Sequence, residues 1–81
     1  MIDEIKGLLE DVKGVPGFSK GLSDSTDIIE DVKLDSLEMI NFMLKIENEL
    51  KVEIDFEQLE FSYLKSIKTF SEFLSKMKRL N

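Results

Sequence analysis

One serine in this chain is placed to do chemistry. Ser36 stands between Asp35 and Leu37, with Glu38 two positions on, where a carboxylate-rich stretch gives way to an amphipathic one. A serine hydroxyl attacks well only when a neighbouring base takes its proton. The sequence contains no histidine and no cysteine, so the commonest general base, the commonest metal ligand and all thiolate chemistry are missing. Nothing around Ser36 forms a Gly-x-Ser-x-Gly elbow or a Ser-x-x-Lys pair, and no Gly-x-x-x-x-Gly-Lys phosphate loop occurs. The acids from Asp24 to Asp35 lack the glycine of a calcium loop and are interrupted by Ile29 and Val32. Chemistry passing through Ser36 has to be carried by something the chain does not contain. The plainer reading is that Asp35-Ser36 marks only the start of a helix, since both residue types are common caps.

The elements that position this serine follow from the spacing of apolar residues. From Leu37 they fall at Leu37, Met39, Ile40, Phe42, Met43, Leu44, Ile46 and Leu50, with polar residues at Glu38, Asn41, Lys45, Glu47, Asn48 and Glu49. This is a wide helical stripe rather than strand alternation. Asp35 is expected to cap the helix and Glu38 to reach back in a capping box, both at the positive end of the helix dipole. An earlier helix is predicted from about Ile2 to Lys13, where Ile2, Ile5, Leu8, Leu9 and Val12 recur at spacings of three and four before Gly14, Pro16 and Gly17 end it. From Val15 to Asp35 no period appears, but Phe18, Leu22, Ile28, Ile29, Val32 and Leu34 can pin this long connector to a core. After Val52-Glu-Ile54-Asp55 breaks the period, a short third helix is expected within Phe56 to Leu64, its aromatics in the core. A last helix is predicted after Ser66 or Thr69, with Ile67, Phe70, Phe73, Leu74, Met77 and Leu80 on one face, ending near the C-terminus. The fold class is all-α: a small antiparallel bundle of three main helices and one short one, with a long first loop.

At 81 residues, 42% hydrophobic and 35% charged, the chain supports one modest core, and residues 1–81 are expected to form a single domain. The formal net charge of −6 argues against nucleic-acid binding. Between Asp24 and Glu38 there are six acids against Lys33 alone, whereas Lys65, Lys68, Lys76, Lys78 and Arg79 outnumber Glu72 near the end. The acidic cluster around Ser36 is read as a recognition surface for a basic partner. The opening Met1-Ile-Asp-Glu-Ile-Lys is acidic and amphipathic where a signal peptide is basic and then apolar, and no run reaches membrane-spanning length. A cytoplasmic monomer without membrane insertion is the expectation.

The stretch Asp31-Val-Lys-Leu-Asp35-Ser36-Leu37, followed by Glu38, Ile40, Ile46, Glu47, Glu49, Leu50 and Glu53-Ile54, resembles the acyl carrier protein family around its phosphopantetheine attachment site. That pattern is roughly Asp-Leu-Gly-x-Asp-Ser-Leu, a hydrophobic helix ending in Glu-x-Glu-Phe, and a closing Glu-Ile. The resemblance implies that a phosphopantetheinyl transferase places a 4′-phosphopantetheine arm from coenzyme A on Ser36. The arm's thiol then holds an acyl or aminoacyl group as a thioester. Asp35 and Leu37 would bracket the site, while Glu38, Asn41, Glu47 and Glu49 would meet basic patches on synthases, transferases and an activating ligase. The implied role is that of a carrier without catalytic residues of its own, in fatty-acid, polyketide or related specialised biosynthesis. Lys33 stands where the pattern has glycine, Asn41 replaces a frequent acid, and Asp55-Phe-Glu-Gln-Leu replaces a Pro-Asp-Glu-Glu run. These departures point to a specialised carrier, and the missing Gly-Gly-x-Ser form favours an acyl load. The alternative is an unmodified acidic helical interaction domain in which Ser36 is a cap and nothing more.

Overall fold

Helix α1 runs from Ile2 to Lys13 and buries Ile5, Leu8 and Leu9, the residues that its three-and-four spacing places on one side. It stops at Gly14, whose φ of 68° is left-handed and whose N–H donates to the Glu10 carbonyl, a conformation glycine takes without steric cost. A computed structural model describes residues 1–80.

The long connector is strapped down rather than loose. Its first half makes a 3₁₀ turn, Phe18–Gly21, held by Ser19, whose amide and hydroxyl both donate to the Glu10 carboxylate at 2.9 Å. Those bonds favour the ionised form and hold the Glu10 carboxyl below its ordinary value. The second half joins the start of the last helix and the turn just ahead of it through three backbone bonds. Ile28 N–H donates to the Leu64 carbonyl at 3.0 Å, Ile67 N–H to Thr26 at 3.0 Å and Lys68 N–H to Asp24 at 2.9 Å. Ile28 and Val32 are buried and Phe18, Leu22, Ile29 and Leu34 pack against the core, as expected of a connector that also contributes hydrophobic side chains.

Helix α2 spans Ser36–Leu50 and buries Phe42, Met43 and Ile46; helix α3 spans Ile67–Ser75 and buries Ile67, Phe70, Phe73 and Leu74. α1 packs against both. At the centre the rings of Phe42 and Phe70 lie 5.7 Å apart, and each fully buried side chain of this kind contributes roughly 1.5–3 kcal/mol. The result is a mostly helical small bundle with its core between the three helices.

Two expectations are corrected. The short helix expected within Phe56 to Leu64 is present as a single 3₁₀ turn, Phe61–Leu64, preceded by a turn at Phe56–Gln58, but the aromatics around it do not all enter the core. The Asp55 carboxylate accepts the Glu57 N–H at 3.0 Å and its carbonyl accepts from Gln58 N–H at 3.1 Å, a local alternative to helix, and Glu60 is extended. Leu64 is buried and the Tyr63 ring packs tilted against Phe73 at 4.9 Å, but Phe56 and Phe61 are exposed, so the aromatics of this stretch are not all core. The last helix also ends earlier than predicted, at Ser75, leaving Met77 and Leu80 outside it. The chain instead forms strand β2, Lys78–Arg79, antiparallel to strand β1, Val52–Glu53, with Val52 opposite Arg79 and Glu53 opposite Lys78. β-branched Val52 favours extended backbone, the register sets unlike charges across the ribbon, and Leu80 N–H closes it on the Lys51 carbonyl at 2.7 Å.

Candidate functional site

Ser36 is the first residue of α2 and is exposed. Behind it the capping box is complete: the Asp35 carboxylate accepts the Glu38 N–H at 2.7 Å, and the Glu38 carboxylate accepts the Asp35 N–H at 3.0 Å. Lys13, at the end of α1, adds an ion pair to the same Glu38 oxygen at 3.4 Å, tying the start of α2 to α1. The turn leading in is built by acids. The Asp27 carboxylate accepts from the amides of Ile29 and Glu30 at 2.8 Å, and the Asp31 carboxylate accepts the Asp27 N–H at 2.8 Å. Helix-like backbone bonds from Asp31 and Val32 to the Asp27 carbonyl and from Lys33 to Ile29 complete one turn. Lys33 ends it at φ 59°. That value lies in the left-handed region, which glycine takes without steric cost and a lysine does not.

Most of the acids ahead of Ser36 therefore hold backbone as well as charge. Asp24 pairs with Lys6 at 3.4 Å, and Asp27, Asp31, Asp35 and Glu38 each accept at least one main-chain N–H. Such bonds order the turn while leaving the net negative field in place.

The apolar stripe of α2 divides into two faces. Phe42, Met43 and Ile46 face the core with Met39 and Leu50 partly buried beside them, whereas Leu37, Ile40 and Leu44 are 67%, 58% and 52% exposed. Ser36, Ile40, Met43 and Glu47 recur at i, i+4, i+7 and i+11 and so share one side of the helix. That side forms one wall of a groove of about 560 Å³, lined by Met39, Ile40, Met43, Leu44 and Glu47 of α2. The opposite wall is Phe56, Leu59, Glu60, Phe61 and Leu64. Ser36 stands at the head of the helical face that lines it.

The sequence-predicted recognition residues are placed as follows. Asp35 and Glu38 are engaged in the capping box, and Leu37 projects into solvent. Glu47 accepts the Ile54 N–H at 3.0 Å and lines the groove, fastening the strand after α2 back to the helix. Asn41 and Glu49 are exposed and share with Glu38 and Lys45 a face away from the groove. The groove itself was missed from sequence. The signal was available in the eight apolar positions of α2, more than one buried face requires.

The start of α2 fits a phosphate-linked group. The hydroxyl of Ser36 is exposed, the first-turn amides of Ser36 and Leu37 have no partner within the helix, and the helix dipole favours an anion there. The two flanking carboxylates are turned to backbone amides. Residues 3–74 match the family model described as a phosphopantetheine attachment site. Comparison with curated proteins and with solved structures gave no match. With nearly the whole folded chain covered, the protein belongs to the phosphopantetheine-binding carrier family, whose domain is the site of covalent 4′-phosphopantetheine attachment.

Proposed function

We propose that this protein carries acyl intermediates as thioesters on a 4′-phosphopantetheine arm attached to Ser36 and delivers them to partner enzymes of fatty-acid, polyketide or related specialised biosynthesis. The observation that carries the reading is the exposure of Ser36 at the head of the α2 face that lines the apolar groove. When bound, the arm supplies the thiol to which the cargo is joined. The chain's own residues do the positioning. The capping box of Asp35 and Glu38 and the Glu38–Lys13 pair fix the first turn of α2, so the hydroxyl is presented on a rigid element.

The groove supports an acyl rather than an aminoacyl load. Its walls are apolar side chains with Glu47 and Glu60 at hand, so a hydrocarbon chain is sheltered from water there while the α-amino group of an aminoacyl thioester gains little. The carrier is proposed to work in the cytoplasm as a monomer, without catalytic residues of its own. Among the described residues no helix is long and apolar enough to cross a membrane. The proposed partners are a phosphopantetheinyl transferase, an acyl-activating ligase and synthases with basic patches. They would meet exposed Leu37 first, with Asn41 and Glu49 further along α2 and the charge of Glu38 and Glu47 contributing through the field.

Intact mass after incubation with coenzyme A and a broad-specificity phosphopantetheinyl transferase tests the assignment. The expected result is a gain of one phosphopantetheine group in the wild type and none in Ser36→Ala. A folded wild-type protein that gains nothing from several transferases refutes the carrier reading and leaves the acidic interaction domain.

A further inference from the structure

The turn that leads into Ser36 sets a cation on a backbone conformation that a side chain disfavours. Lys33 lies at φ 59°, where a β-carbon crowds the following carbonyl. It occupies the position that carries glycine in the carrier pattern. Acids surround it in sequence, and four of them, Asp27, Asp31, Asp35 and Glu38, have carboxylates engaged with other partners, leaving that of Glu30 as the nearby one with no such contact among the described residues. Asp27 accepts the amides of Ile29 and Glu30, Asp31 that of Asp27, and Asp35 that of Glu38. Glu38 is held by Lys13. The ion pairs among the described residues join the Met1 amino terminus to Glu4, Lys6 to Asp24 and Lys13 to Glu38, and none involves Lys33. Lys33 and Ser36 are both exposed. Three residues of extended chain span at most about 11 Å, well within what a flexible four-carbon stem and a group extending from the serine can close together.

We propose that the Lys33 ammonium pairs with the phosphodiester that joins the 4′-phosphopantetheine arm to Ser36, anchoring the base of the arm at the start of α2. The contact is electrostatic and forms no bond. It adds a mobile cation to the two first-turn amides and the helix dipole. The inference rests on the carrier reading, with Ser36 as the attachment site. It makes Lys33 a positioning residue: once the arm is in place, the acidic approach to Ser36 carries a local counter-charge for the phosphate.

The experiment compares the thermal midpoint of the apo and loaded forms of the wild type, Lys33→Gln and Lys33→Arg, each form verified by intact mass. In dilute buffer the wild type is expected to gain about 3 °C on loading beyond what Lys33→Gln gains, the size of one exposed ion pair in a domain this small. Lys33→Arg restores the gain, and 1 M salt abolishes it. The ³¹P resonance of the phosphodiester is expected to differ between loaded wild type and loaded Lys33→Gln in dilute buffer and to converge in 1 M salt. Equal loading shifts in the wild type and Lys33→Gln, or a difference that salt leaves untouched, overturns the assignment to Lys33 while leaving the carrier reading intact. A wild-type protein that acquires no phosphopantetheine mass overturns both.

Discussion

Replacing Asp35 separates the two things this residue does, holding the start of α2 and placing a charge beside Ser36. In the native turn its carboxylate accepts the Glu38 N–H at 2.7 Å, while the Glu38 carboxylate accepts the Asp35 N–H at 3.0 Å and meets Lys13 at 3.4 Å. Asp35→Ala deletes the acceptor, which costs about 1 kcal/mol at a helix cap. It also deletes a charge aligned with the helix dipole, about 0.5 kcal/mol at an exposed end. Together these amount to about 1.5 kcal/mol, or roughly a 10 °C fall in midpoint for a domain of this size. Asp35→Asn keeps an oxygen acceptor of equal capping strength and loses only the charge, so its fall is about 3 °C. Thermal and urea unfolding followed by circular dichroism measures both. The rate of phosphopantetheine transfer then divides the functional role. A transferase that reads the charge is slowed alike by both substitutions, and one that reads the helix geometry is slowed by alanine alone. The reasoning is refuted if Asp35→Ala unfolds with the wild type, or if Asp35→Asn is as destabilising as Asp35→Ala.

Four further outcomes are expected. Phe42→Ala removes a fully buried ring that packs on Phe70 at 5.7 Å and is expected to cost about 3–5 kcal/mol in urea unfolding; a loss under 1 kcal/mol contradicts the packing. Lys51 caps α2 at φ 54°, so Lys51→Gly should raise stability by up to about 1 kcal/mol, whereas a marked loss shows that its side chain holds something there. Because Ser19 holds the folded Glu10 carboxyl below its ordinary value of 4.5, Glu10 stabilises the fold above that pH. The stabilisation is lost as pH falls through the lower folded value. Glu10→Gln is therefore expected to be less stable at neutral pH and to lose less on acidification below 4.5, and parallel pH profiles for the two proteins refute the clamp. Phe61 is 79% exposed and lines the groove. Phe61→Ser is expected to leave the unfolding midpoint nearly unchanged while speeding hydrolysis of a loaded medium-chain acyl thioester, and an unchanged hydrolysis rate argues against sheltering of the cargo there.

Local physics carried much of the fold into the sequence. Periodicity placed α1 at its observed bounds and the start of α2 to the residue, because the capping box is a contact among residues three apart and needs no tertiary partner. Buried Ile5, Leu9, Phe42, Ile46, Phe70 and Leu74 all lie on the stripes that spacing marked. The carrier pattern around Asp35-Ser36-Leu37 is equally local, and the family match over residues 3–74 agrees with it.

Where the outcome depended on distant partners, the sequence was silent or misleading. Met77 and Leu80 continue the α3 period, yet the chain leaves the helix there because Val52 and Glu53 offer an edge for Lys78 and Arg79 to pair with. Phe56 and Phe61 have core composition, but their backbone follows the Asp55 turn and extended Glu60, which set both rings beside α2 instead of beneath it. Only that arrangement turns the surplus apolar face of α2 into a groove headed by Ser36. The position of the serine was thus determined by short-range spacing and capping. What surrounds it was decided by tertiary packing, because a groove wall needs two segments whose approach neither one encodes alone.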